Sequence, residues 1–181
     1  MTSPSNLQLE QVAKKIINSG MFFIPLLPNE KKNWDTDFLT KDYSEKDLIP
    51  NGNVGINPKK SKTYIFDLDS SYAIKFGNKW LPMNTTIGAR QYPNGVVERT
   101  HWYFESDGSL DKNIKSLPAE LYINHNVVAF GKTLHKQTNE PMKRFWASEE
   151  SLLPFNESLL KTFWMINFAA KVAEHITPVV N

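Results

Sequence analysis

Two aspartates separated by one residue, Asp67 and Asp69, are the clearest candidates for chemistry in the sequence. They close a run of β-branched and aromatic residues over 62–69 that predicts a strand. Because side chains alternate across a strand, both carboxylates would point to the same face. Adjacent carboxylates repel each other, and a divalent cation removes this repulsion by taking their oxygens as ligands. The spacing therefore indicates a metal site, and the alternative is a strand end whose second aspartate caps the next helix.

A histidine flanked by aromatic residues is the second candidate, and an isolated glutamate is the third. His101 lies in a strand predicted over residues 99–104, where it shares a face with Tyr103. Glu120 begins another predicted strand. Each has an ordinary alternative, because such a histidine is commonly a packed, hydrogen-bonded residue and such a glutamate is commonly a surface residue.

The elements that would position these residues predict an α+β chain with helices at both ends. A helical apolar stripe covers residues 7–19 and stops at Gly20, and a second helix is predicted from 155 to about 176. A helix over 70–80 would be capped by Ser70 or Ser71. Strands are predicted over residues 21–27, 53–56, 62–69, 85–91, 99–104, 120–123, 127–130 and 144–147. We expect the strands of the second half to form an antiparallel meander.

Composition limits the classes of protein that the chain can represent. With 181 residues, 40% of them hydrophobic, one domain around a real core is expected. A membrane span is not expected, because no run of 18 apolar residues occurs. The sequence has no cysteine, which excludes thiolate zinc sites and suits a reducing interior. The first residues lack the pattern of a secretory signal, so a cytoplasmic location is expected.

Charge alone does not indicate a nucleic-acid partner. The net charge is only +2, from 21 basic and 19 acidic residues. A polynucleotide-binding surface would therefore need local clusters of basic residues. Such clusters occur at Lys31–Lys32 and at Lys59, Lys60 and Lys62, although solvated loop lysines would give the same pattern.

Taken together, the candidates follow an order that resembles the archaeo-eukaryotic primase superfamily. An acidic-x-acidic strand, a histidine strand and a strand with a third acid are similar to its primase-polymerase branch, found in plasmids, phages and other mobile elements. The resemblance covers roughly residues 10 to 148 and includes flanking residues at Gly20, Pro25, Lys31 or Lys32, Asn53-Val54-Gly55, Pro82, Thr86, Arg90, Gly95, Val127-Val128, Gly131, His135 and Phe145-Trp146. The chain departs from the family at Arg99, where a small residue is usual, and in the turn over 130–133, which is usually Pro-rich.

This resemblance implies a template-directed nucleotidyltransferase, a DNA primase and DNA polymerase for replication of a mobile element in a prokaryotic or viral context. It implies two Mg²⁺ or Mn²⁺ ions, with single-stranded DNA as template and nucleoside triphosphates as substrates. The zinc site that many members carry is not expected, because the sequence has no cysteine or histidine cluster. A helicase or a primase accessory domain is a further candidate partner. The implied residues are Asp67, Asp69 and Glu120 for the metals, His101, Arg90, Lys132 and His135 for the nucleotide, and Lys31, Lys32 and Lys60 for the template.

The resemblance also implies a fold, in which a sheet like that of an RNA-recognition motif (RRM) bears the acids. The single domain over 1–181 would contain a small N-terminal αβ module over about 7–60. The catalytic module would cover about 61–150, followed by the C-terminal helix over about 155–176.

Two other functions fit parts of the pattern. A related sheet that only grips single-stranded nucleic acid would use exposed aromatics such as Trp102 or Tyr103 to stack bases. A strand-DxD-helix also opens the haloacid-dehalogenase phosphatases, which need a second acidic pair on another strand end. The only adjacent acidic pair after Asp69 is Glu149–Glu150.

Overall fold

The computed structural model of the chain describes residues 4–135 and 138–176, which contain three α-helices and ten β-strands. The elements are α1 Asn6–Asn18, β1 Phe23–Leu26, β2 Asn53–Ile56, β3 Thr63–Leu68, α2 Ser71–Trp80, β4 Ile87–Gln91, β5 Val97–Glu105, β6 Ile114–Ser116, β7 Ala119–Tyr122, β8 Val127–Leu134, β9 Pro141–Ser148, β10 Leu153–Pro154 and α3 Glu157–Ile176. The predicted α+β class, with helices at both ends, is confirmed.

The strands form one curled sheet in the order β1-β2-β8-β9-β4-β5-β3-β7-β6, and all neighbours in this path are antiparallel. The predicted meander is wrong, because β3 lies between β5 and β7, and β8 pairs with β2 and β9. The reason is burial: every residue of β3 is buried, so this strand needs a neighbour on each side and cover on both faces. The short β10 pairs in parallel with the end of β5.

Side-chain hydrogen bonds define where the helices begin. The Ser5 hydroxyl accepts a hydrogen bond from the Gln8 backbone N–H at 3.3 Å, which opens α1 with a capping box. Of the two predicted caps of α2, Ser70 is the one used, because its hydroxyl accepts from the Ala73 N–H at 3.2 Å. In residues 4–135 and 138–176, none of the helices has the length and apolar character that crossing a membrane requires.

The two faces of the sheet are covered by different helices. Alternate residues of β3, such as Phe66, pack with α2 and α3 in one apolar cluster. On the other face, Ile65 packs with α1, Tyr103 and Tyr122 in a second cluster. Asp67 shares the parity of Ile65, so its carboxylate belongs to the α1 face of the sheet, beyond the part that α1 covers.

The loop between β1 and β2 is tied to β8 through one buried asparagine. The Asn53 side-chain amide donates to the Lys132 carbonyl at 2.8 Å and to the Glu30 carbonyl at 2.9 Å. Its carbonyl accepts from the Lys132 N–H at 2.7 Å. Gly131 has a φ of +129°, and a Cβ there would lie 2.0 Å from the Asn53 Oδ1. Glycine is therefore required at this position, and the loop that carries Lys31 is held against the sheet.

Candidate metal centre and anion site

Three of the predicted site residues meet on adjacent strands. Asp67 of β3 pairs directly with His101 of β5 on one side and with Glu120 of β7 on the other. Directly opposite residues of antiparallel strands bring their Cβ atoms to about 5 Å. Asp69 lies just beyond the end of β3, where its backbone N–H donates to the Pro118 carbonyl at 2.9 Å. The sheet therefore assembles the acidic and histidine motifs into one place.

The carboxylates of Asp67, Asp69 and Glu120 form a cluster that could hold a metal ion. One oxygen from each lies within 4.8 Å of the others. Asp67 is buried, Glu120 is half-buried and Asp69 is exposed, so the cluster is open on one side. A set of carboxylate oxygens suits hard cations such as Mg²⁺ and Mn²⁺. The three carboxylates therefore fit the predicted Mg²⁺ or Mn²⁺ cofactor, and binding of the cation would relieve the repulsion among them.

The pKa of Asp69 is raised to about 6. Desolvation of the carboxyl group by the site walls is the largest cause, and the charges of Asp67 and Glu120 raise the pKa further. Lys31 and Arg90 partly oppose the shift. Asp69 is therefore the ligand whose ionisation a bound cation would assist most.

Asp67 behaves in the opposite way. Burial would raise its pKa, but His101, Lys31 and Arg144 together lower it to about 2. Arginine keeps its proton in proteins, so Asp67 has a lasting positive neighbour whichever state His101 adopts. Asp67 is thus an ionised, buried carboxylate at neutral pH.

His101 orients this carboxylate. Its Nε2 lies 3.0 Å from the Asp67 Oδ1, and its ring is buried. Burial lowers the pKa of His101 against the opposing pull of Asp67. Gly88 of β4 makes room for the ring, because a Cβ there would lie 3.2 Å from the His101 Cβ. The predicted contact of His101 with a triphosphate stays a prediction.

A small cavity beside the acids is lined by cationic and titratable side chains. Lys31, His101, His125 and Arg144 line it together with Asp67. Although Lys31 is exposed as a whole residue, desolvation and then the charge of Arg144 lower its pKa, while Asp67 and Asp69 oppose this. The structure places Lys31 beside Asp67 in this cavity, and its predicted contact with the template stays a prediction. The cavity thus has an acidic wall and a basic wall.

Arg144 is the strongest element of the basic wall. Its side chain is almost completely buried, and its guanidinium donates to the Thr133 hydroxyl at 3.2 Å and to the Thr100 hydroxyl at 3.4 Å. In residues 4–135 and 138–176, no carboxylate lies within 4.0 Å of it. A buried charge without a close counter-charge is costly, so the position suits an anionic ligand.

Two other predicted nucleotide contacts lie elsewhere. His135 follows β8 and lies four residues beyond Gly131, which corresponds to roughly 13 Å along the strand direction from Gly131. Its ring nitrogen accepts a hydrogen bond from the Thr138 backbone N–H. Lys132 is half-buried and pairs with Lys143 of β9 across the ladder. Neither residue lines the cavity that holds Asp67.

Arg90 and the remaining predicted template contacts have partners of their own. Arg90 lies opposite Arg144 on the sheet but donates its Nε to the Glu98 carboxylate at 2.7 Å. Lys60 donates to the Asp42 carboxylate at 2.6 Å, near the opposite end of β3 from Asp67. Lys32 is exposed in the loop that carries Lys31.

No protein-family model and no curated protein matches the chain. The candidate site therefore rests on the residues themselves and on their geometry. Sequence analysis missed Arg144, Tyr122 and His125 as site residues. For Arg144 a signal existed. It is the first residue of the strand predicted over 144–147, and it is a basic residue at the same alternating position as Met142 and Trp146.

Tyr122 positions the third carboxylate, and its removal should weaken metal binding. Its hydroxyl donates to the Glu120 Oε2 at 2.5 Å, and burial, followed by the charge of Asp67, raises the pKa of Tyr122. We expect Tyr122→Phe to raise the dissociation constant for Mn²⁺ about 3- to 10-fold, as the loss of one hydrogen bond to a charged group would. Calorimetric titration measures this constant.

Tyr92→Phe is the matched control, because the Tyr92 hydroxyl also donates to a carboxylate, that of Glu98, at 3.1 Å. Glu98 lies outside the acidic cluster, so Mn²⁺ affinity should not change. Equal losses in both variants, or no loss with Tyr122→Phe, would contradict the positioning role.

The raised pKa of Asp69 predicts a pH-dependent effect of metal on stability. An acid whose pKa rises from 3.8 unfolded to about 6 folded destabilises the fold as pH increases through this range, because the unfolded state loses its proton first. A bound cation takes the place of that proton. We therefore expect Mn²⁺ to raise the melting temperature more at about pH 7.5 than at about pH 5. Asp69→Asn should flatten this difference, and an equal shift at both pH values in the wild type would refute the assignment.

Proposed function

We propose that this chain is the catalytic core of a primase-polymerase, which transfers nucleotides onto a primer strand under the direction of a nucleic-acid template. One observation carries the proposal: Asp67, Glu120 and His101 converge from three adjacent strands, and Arg144 and Lys31 line a small cavity together with Asp67 and His101. Acids that can hold a divalent metal beside cations that can hold phosphates are what nucleotidyl transfer needs.

The strand order supports the RRM-like core that was predicted for this function. Strands β4, β5, β3 and β7 lie side by side in that order, and α2 connects β3 to β4. Because β5 is inserted between β3 and β4, these elements make a split β-α-β unit. Of the proposed site residues, Asp67 lies on β3 and His101 on β5, the two central strands of these four, and Glu120 lies on the adjacent β7.

Each residue of the site has a proposed part in the reaction. Asp67, Asp69 and Glu120 would hold two divalent ions, which when bound stabilise the charge on the attacking and leaving oxygens. His101 keeps the Asp67 carboxylate in place through its 3.0 Å contact. Arg144 and Lys31 would bind the phosphate oxygens of the incoming nucleotide, for which the planar guanidinium is well suited. The 3′-hydroxyl of the primer attacks the α-phosphorus, and pyrophosphate leaves.

The template strand would run beside the cavity, along the loop between β1 and β2. Trp34 is 66% exposed in the loop that also carries the exposed Lys32. An exposed aromatic ring can stack on an unpaired base, and a nearby lysine can contact the phosphate backbone. Binding through such contacts weakens as salt concentration rises. Lys60 is bonded to Asp42 and is a weaker candidate for this path.

The rival functions find less support. For a binding-only sheet, exposed aromatics such as Trp102 or Tyr103 were predicted to stack bases, but both are completely buried, so this prediction is wrong. A phosphatase would need a second acidic pair beside Asp67. Glu149 and Glu150 instead line a cleft with Glu105, which pairs with the opposite end of β3.

Primer extension tests the proposal. The chain is incubated with a primed single-stranded DNA template and labelled nucleoside triphosphates, with Mg²⁺, with Mn²⁺ or with a chelator. We expect extension with either metal and none with the chelator. A folded protein that extends no primer and forms no new primer with either metal would contradict the proposed activity. Release of phosphate from small phosphoesters without extension would favour the phosphatase.

A further inference from the structure

The C-terminal helix has an apolar face that nothing covers in residues 4–135 and 138–176. Phe163, Ile166 and Ala170 point into the core, as the helical spacing requires. We call the opposite side the outer face of α3. Its large apolar residues are each 39–73% exposed, and they are Trp164, Met165, Phe168, Val172 and Ile176. Residues 164, 168, 172 and 176 are spaced by four, so they form one continuous stripe.

The area of this stripe is unusual for a surface that meets only water. With large side chains of roughly 150–250 Å² each, the five residues expose on the order of 500 Å². The largest apolar patch on a typical monomer is about 300–600 Å² and is often functional. Leu117, which is 66% exposed, is also close to α3 in the fold, because its neighbour Ser116 accepts a hydrogen bond from Lys171 of α3.

We propose that the outer face of α3 packs against the same face of a second copy of this chain, with the two helices antiparallel about a two-fold axis near Phe168. Two such faces together bury about 1,000 Å² of apolar surface, which reaches the size of a specific interface. A two-fold arrangement pairs each patch with itself, so no second complementary surface is needed. With Phe168 on the axis, Trp164 lies opposite Val172 of the second copy.

The charges near the stripe are compatible with this pairing. Lys161, at its N-terminal end, is bonded to Glu157 at 2.8 Å, so that end presents a neutral pair. Lys171 extends sideways to the Ser116 hydroxyl at 3.3 Å. Neither lysine has to be buried as an unpaired charge when the faces meet. The helix dipoles also oppose each other favourably in an antiparallel pair.

The dimer is independent of the proposed enzyme activity. The helix α3 packs on the face of the sheet that holds Phe66, whereas Asp67 and the cavity are on the other face. Both acidic sites would therefore remain open in the dimer. Loss of the dimer and loss of nucleotide transfer can be measured separately.

Sedimentation equilibrium of the chain over about 1 to 100 µM tests the proposal, since a dimer of modest area should dissociate on dilution. We expect the mass to rise toward twice that of the monomer, and Phe168→Glu to remain monomeric throughout. Leu7→Glu is the matched control, because Leu7 is 63% exposed on α1, and it should dimerise like the wild type. Circular dichroism confirms that each variant is folded, and Met165→Lys provides a second disrupting change.

The lack of cysteine in the sequence allows a positional test. Phe168→Cys should form a disulfide-linked dimer on mild oxidation, because the residue on the axis meets its own copy, whereas Leu7→Cys should remain uncrosslinked. A wild type that is monomeric at every concentration would overturn the proposal. So would a dimer that persists in both Phe168→Glu and Met165→Lys.

Discussion

Replacing Asp67 and Asp69 together by asparagine should lower metal-dependent nucleotide incorporation by at least about 10³-fold. The two changes keep the size of the side chains and remove two of the three carboxylates in the cluster. A bound metal is worth several kcal/mol of transition-state stabilisation, and about 4 kcal/mol corresponds to 10³ in rate. The rate of primer extension under saturating nucleotide measures the loss.

The control for this prediction is the pair of adjacent acidic residues Glu149 and Glu150. Glu149 and Glu150 are exposed, and the Glu149 carboxylate forms a salt bridge with Lys15 at 3.0 Å. Both glutamates lie near the start of β3, at the opposite end of the strand from the acidic cluster. Replacing both by glutamine should leave the extension rate within about twofold, as for surface changes away from a site. If the Asp67 and Asp69 variant is folded and retains its rate, the carboxylates are not the metal ligands.

Arg144→Met should have the second largest effect, and it should separate function from stability. In the described part of the chain the buried guanidinium has hydroxyl partners and no carboxylate within 4.0 Å, so the cost of desolvating its charge is opposed mainly by the longer-range attraction of Asp67. An apolar side chain of similar length removes the cost of burying this charge, although the hydroxyls of Thr133 and Thr100 each lose a donor. Nucleotide binding should suffer instead, because a phosphate oxygen loses its charged donor. We expect KM for the nucleotide to rise about 100-fold, or about 2.7 kcal/mol, with no fall in melting temperature.

Arg90→Met provides the comparison for this prediction. Arg90 lies beside Arg144 but is bonded to Glu98, so its removal breaks a pair and leaves that carboxylate without its cation. Its loss should lower the melting temperature more than Arg144→Met does, while KM changes less. The opposite pattern would mean that Arg144 is a structural residue. Arg144→Lys should recover part of the affinity, since lysine keeps the charge and loses the planar fork.

Local pattern was sufficient to predict most elements and the pairing of Asp67 with Asp69, whereas Glu120 was added to them only through the family resemblance. The run that ends at Asp67 contains residues that favour strands on both faces, and the helix after it has its cap at Ser70. Period-two alternation also predicted that Asp67 and Asp69 share one face of their strand and that His101 shares a face with Tyr103. These features depend on neighbours in the sequence, so a single sequence reveals them.

The order of the strands could not be predicted in the same way. The position of β3 between β5 and β7 depends on which apolar faces of the helices and the sheet pack against each other. That packing is a property of the whole chain. For the same reason Lys31 could not be assigned to the site, because the hydrogen bonds of Asn53 bring its loop against β8. The short strands β6 and β10 were also missed, since two or three residues carry too little pattern.

The most direct test of the central claim is whether the template selects the incorporated nucleotide. Four primed single-stranded templates that differ only in the first unpaired base are each offered one labelled nucleotide at a time, with Mn²⁺ present. The proposed site predicts that the wild type adds the complementary nucleotide preferentially on each template and that the Asp67→Asn, Asp69→Asn variant adds none. Incorporation that ignores the template base, or that persists in the double variant, would contradict a template-directed polymerase at this cluster.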